Sequence, residues 1–131
     1  MLKTRETHDK RNSSNNILLD KFLFLKHEII KIKASIEERK AMAFKKSKAI
    51  EKEIEKLNFE LEECFRFVKY QPGVNPALDS WRSEKERRIL SLKQLLWDIP
   101  EQLERDLFIL ERELRELLRE YLPLKRALCE G

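Results

Sequence analysis

The chain has 131 residues, one domain's worth, with 28 basic and 24 acidic residues and a net charge of +4. Two glycines and 40% charged residues exclude a loop-rich or sheet-rich fold. No apolar run reaches the roughly 18 to 20 residues that span a bilayer, so a soluble, intracellular, cytoplasmic all-α protein is expected.

Residues 1–14 carry no apolar period and mix Lys3, Arg5, Lys10 and Arg11 with Glu6 and Asp9, which reads as a flexible basic arm. Ile17 to Leu25 is the greasiest stretch. Asp20 and Lys21 interrupt it and no small-residue cleavage site follows, so a secretory signal is not expected. Ser13, Ser14, Asn15 and Asn16 offer several helix caps before the first apolar residue.

A first helix is expected over about residues 16–70. Its apolar residues recur at steps of four and three: Leu18, Phe22, Leu25, Ile29, Ile32, Ile36. The beat resumes at Ile50, Ile54, Leu57, Leu61, Cys64 and Val68, displaced by a four-residue insertion. Pro72 and Gly73 end this helix within a turn over 71–76, and Pro76 suits the first turn of the next, with Asn75 as its cap.

The second helix, about 77–128, repeats the pattern as Ile89, Leu92, Leu96, Ile99 and Leu103, then slips to Leu107, Leu110, Leu114, Leu117, Tyr121, Leu124 and Leu128. If the chain doubles back at the turn, facing residue numbers sum to about 147 and the two slips lie at one height. The expected fold is a long antiparallel, coiled-coil-like helical hairpin over residues 15–131. A kink or break is expected near Pro100, where Asp98 and Glu101 resemble a capping box restarting a helix. A compact four-helix arrangement of the same chain is the second architecture. Pro123 is expected to kink the last helix or release its end.

An isolated two-stranded coiled coil needs only a narrow apolar stripe. Residues 17–25 and 107–118 carry more, on faces that a single partner helix cannot cover. This points to a homodimer or higher homo-oligomer, most simply a two-fold dimer completing a four-helix bundle, with Phe22, Phe24, Phe108 and Leu118 at the inter-subunit core. Near the turn, Phe65, Phe67, Tyr70 and Trp81 are expected either to close over the loop or to form a distal contact for a protein partner.

Charge is uneven: residues 1–71 hold 17 basic against 12 acidic residues, and residues 72–131 hold 11 against 12. Arg39, Lys40, Lys45, Lys46 and Lys48 have no acid among them, and with the arm they could track phosphates. Nucleic-acid binding is therefore the alternative function, although no zinc spacing, aromatic RNA-reading motif or helix-turn-helix pattern accompanies it.

Catalytic signals are missing from the sequence. Of the two histidines, neither His8 nor His27 follows a glutamate by three residues, as a di-iron bundle requires. Phosphate-binding glycine loops and nucleophile elbows are likewise missing. Cys64 and Cys129 make no disulfide framework. The expectation is a non-enzymatic structural or adaptor protein with no catalytic residues, metal or cofactor.

Overall fold

A computed structural model of the chain describes residues 16–129 with their side chains. The arm expected over residues 1–14 lies outside the described residues. Two long helices, α1 (Leu2–Phe67) and α2 (Pro76–Lys125), pack against each other, and a π-helical turn (Arg126–Glu130) follows α2. Among the described residues there is no strand.

The chain divides into two compact units, one of Met1–Glu38 with Leu107–Gly131 and the other of Arg39–Asp106. The dividing points fall where the apolar period slips on each helix. On α1 the seam passes from Ile36 to Ala43 and Ser47, and on α2 two four-residue steps, Ile99 to Leu103 and Leu103 to Leu107, follow one another; each displaces the seam.

In the first unit Leu25, Ile29 and Ile36 are buried, with Phe22 and Ile32 half-buried. They share a seam with half-buried Leu110, Leu114, Leu117, Tyr121 and Leu124. Phe22 stacks on Tyr121, which sets the antiparallel register of this pair.

The second unit is a helical hairpin. Leu57, Ile89 and Leu92 form its buried core, and Ile50, Ile54 and Leu61 pack against them. Two cross-helix ion pairs flank this core, Lys85 Nζ to Glu60 Oε2 at 3.1 Å and Arg88 to Glu53 Oε1 at 3.1 Å. Each is exposed enough to contribute at most about 1 kcal/mol, so burial sets the stability and the ion pairs set the register. The observed pairs fall a few residues short of the register read from the sequence.

The turn is built by residue type. Val74 N–H donates to the Gln71 carbonyl at 3.3 Å, around Pro72 and a Gly73 held at φ +84°. Proline fixes the first central residue, and only glycine takes the positive φ of the second at little cost. Asn75 Oδ1 then accepts from the backbone N–H groups of Ala77 and Leu78, capping α2 with Pro76 in its first turn.

The helix bounds differ from the sequence reading in three places. α1 ends at Phe67, three residues early, where Val68 N–H still bonds to the Cys64 carbonyl. α2 runs unbroken through Pro100, so there is neither a helix break after Trp97 nor a four-helix arrangement within the chain. The reason is local. Asp98 Oδ1 accepts from Gln94 Nε2 at 3.0 Å instead of capping a new helix, and Pro100 is exposed, so its ring takes no place in the seam. Pro123 lies inside α2, and the wider π-helical turn begins three residues later.

Candidate functional site

Each helix advances about 100° per residue, so the exposed positions sort into two sides of the seam. In an antiparallel pair, rotating the same way from the seam on either helix leads to the same side. The second unit bears this out. Arg39, Met42 and Lys46 of α1 and Gln102 and Asp106 of α2 all lie in one rotational sense, and together they line a hollow of about 100 Å³. Arg88 and Glu53, which bond across the helices, lie in that sense too.

In the first unit this rule gathers large apolar side chains on one side. Leu19, Leu23 and Ile30 of α1 join Phe108, Leu118 and Leu122 of α2; Leu23 is 57% exposed, Ile30 56% and Phe108 62%. Among the described residues the opposite side carries only Ile17, Phe24 and Ile109 as large exposed apolar residues. Among the described residues the buried core of the whole chain is six side chains, against eighteen large hydrophobic residues left exposed. A single seam therefore leaves many large apolar side chains uncovered.

The four residues expected at an inter-subunit core do not share one surface. Phe22 is half-buried in the seam against Tyr121, and Phe24 lies on the side opposite Phe108 and Leu118. Leu19, Leu23, Ile30 and Leu122 were not singled out as contact residues. Their spacing carries the signal, since Leu19, Leu23 and Ile30 repeat the four-and-seven rhythm of a second stripe beside the seam.

Of the residues expected at the distal end, three meet. Phe65 lies 5.0 Å from Tyr70 and 6.5 Å from Trp81 between ring centroids. The Arg82 guanidinium stands 5.0 Å from the Tyr70 ring and bonds Glu86 at 2.8 Å. The Tyr70 phenol first, and Glu86 next, hold Arg82 even further toward its charged form than an ordinary guanidinium. The Tyr70 hydroxyl donates to Asp79, whose other oxygen accepts from Gly73 N–H at 3.1 Å, tying the cluster to the turn. Phe67, by contrast, is 79% exposed.

The basic segment is spread by the helix. Arg39 and Lys46 line the small hollow with Asp106, and Arg39 approaches its carboxylate to 3.7 Å. Lys40 and Lys48 lie in the other rotational sense; Lys48 pairs with Glu51 at 3.3 Å and stands over the Phe44 ring. Lys45 points away from the seam. Five cations close in sequence thus divide among three directions.

The sequence reading also missed Trp97, 71% exposed, which with Lys93, Leu96, Pro100 and Glu101 lines a shallow hollow of about 360 Å³ in the second unit. Its signal is the seven-residue step from exposed Leu90, on the side away from the seam.

Among the described residues no three His, Cys, Asp or Glu side chains group as a metal site, and no helix is long and apolar enough to cross a membrane. Both cysteines are free thiols. No family model, curated protein or solved structure matches this chain.

Proposed function

We propose that this chain is a non-enzymatic structural or adaptor protein that works through self-association and protein–protein docking. The observation that carries the reading is the excess of apolar surface. In each unit the helices bury one narrow seam and leave large side chains such as Leu23, Phe108, Leu90 and Trp97 exposed. A monomer rarely presents so many together unless another protein covers them. A two-fold dimer completing a four-helix bundle is the simplest cover.

Light scattering and sedimentation at micromolar concentration test this reading. A dimer or defined higher oligomer is expected. A monomer that remains dispersed without a partner would remove self-association from the proposal.

The alternative is nucleic-acid binding through Arg39, Lys40, Lys45, Lys46 and Lys48. The division of these side chains among different directions weighs against a continuous phosphate track. Titration against generic duplex and single-stranded nucleic acid at about 50 mM salt separates the two readings. Binding that disappears on reversing these charges would favour the alternative.

A further inference from the structure

We infer that the side of the first unit formed by Leu19, Leu23, Ile30, Phe108, Leu118 and Leu122 is where a second copy of this chain docks, α1 of each copy lying along α2 of the other. The inference rests on the self-association proposed above and assigns it to one surface and one pairing.

Size comes first. Leu19 to Phe108 spans about 17 residue heights, or roughly 25 Å, across two helices each about 10 Å wide. The projected face is about 500 Å², and its accessible area is larger once the stems of Lys26, Lys33 and Arg115 are counted. That approaches the roughly 800 Å² per partner of a stable protein interface. The opposite side, with three large apolar residues, offers much less.

Charge bears on the pairing. On this side α1 carries Lys26 and Lys33 between its apolar residues, while α2 carries Glu111 and Arg115. A two-fold axis running across the helices would lay α1 on α1 and bring Lys26 of both copies together near the middle of the patch. Like charges so placed oppose association. An axis running along the helices instead lays α1 on α2 of the second copy. With heights set by Phe22 against Tyr121, Leu23 then meets Leu122, Lys26 comes level with Leu118 and within about two residues of Arg115, and Lys33 comes level with Glu111. Every helix of the resulting four has antiparallel neighbours, the arrangement of an up-down bundle. Opposite charges meet in this pairing alone, at Lys33 and Glu111, and each contact recurs twice, as an isologous interface requires.

The experiment compares sedimentation equilibrium of the full chain with that of three variants, circular dichroism reporting helix content. In L23Q/L122Q, two exposed leucines become good helix formers; its dimer dissociation constant should rise at least about 100-fold. F24Q/I109Q alters the opposite side and should leave the constant within about twofold. K33E should weaken the dimer about fivefold, and K33E/E111K should restore it. A wild-type monomer would sink self-association itself. A wild-type dimer that tolerates L23Q/L122Q but not F24Q/I109Q would overturn this face and leave self-association standing. Should L23Q/L122Q lose its helix, the Lys33 and Glu111 exchange decides alone, and failure to restore the dimer would overturn the pairing.

Discussion

The rings of Phe22 and Tyr121 stack with centroids 5.3 Å apart and planes 12° from parallel, near opposite ends of the sequence. Both are half-buried, so the contact joins area burial to a favourable ring geometry. Replacing Phe22 by Leu should destabilise the fold by about 1 kcal/mol, and Tyr121→Leu by a similar amount. The double variant should lose less than the sum of the two. A coupling of about 0.5 to 1.5 kcal/mol in urea denaturation would reflect the stacked pair. Strict additivity would show that the rings stabilise the fold independently.

Leu92 and Leu90 are two residues apart on α2, and their surroundings could hardly differ more. Leu92 is 2% exposed and Leu90 67%. Leu92→Ala opens a cavity between Leu57 and Ile89 and should cost about 2 to 5 kcal/mol. Leu90→Ala removes a side chain already in water and should change stability by less than about 0.5 kcal/mol. Both values come from denaturant midpoints measured below the concentration at which the chain associates. A large cost for Leu90→Ala under those conditions would mean that the seam is misplaced.

The turn depends on one carboxylate. Asp79 accepts from the Tyr70 hydroxyl and from Gly73 N–H, and its charge sits in the first turn of α2. Asp79→Ala should cost about 1 to 2 kcal/mol by leaving both donors without this acceptor. Gly73→Ala should cost about 1 kcal/mol for a separate reason. Nothing lies within 4 Å of the added Cβ, so the whole penalty is backbone strain at φ +84°. Gly73→Asn should cost less than Gly73→Ala, because asparagine tolerates the left-handed region. Thermal unfolding of the three variants gives the order.

Much of this fold was legible in the sequence, and the reason is periodicity. Leu25, Ile29 and Ile36 on α1, with Ile89 and Leu92 on α2, sit on the read stripes and are buried. The two slips in phase coincide with the division of the chain into units. Pro72, Gly73 and Asn75 marked the turn and the cap because each residue type suits a single backbone role there. Surfaces were harder to read. Arg39 to Lys48 looks like one cluster in sequence, yet about 100° of rotation per residue sends its members apart. Which exposed residues share a side depends on the rotation of both helices from a common seam, so Leu23 and Leu122 became neighbours only once that seam was fixed. Asp79 escaped notice because its partners, Tyr70 and Gly73, belong to the turn and follow no period.

Pro100 offers the sharpest test of continuity in α2. The helix passes through it without interruption, although proline in a helix interior costs about 3 kcal/mol through a lost hydrogen bond and a clash one turn back. Seam residues Leu96, Ile99 and Leu103 on either side hold the helix in place despite that cost. Pro100→Ala restores the donor to the Leu96 carbonyl, relieves the clash and removes no buried side chain, so it should stabilise the fold by about 1 to 3 kcal/mol. The gain should appear as a higher denaturant midpoint with an unchanged slope, since the surface exposed on unfolding stays the same. A Pro100→Ala variant less stable than the parent would mean that the proline imposes a bend on which the seam depends, and the contacts of Ile99 and Leu103 would then need to be redrawn.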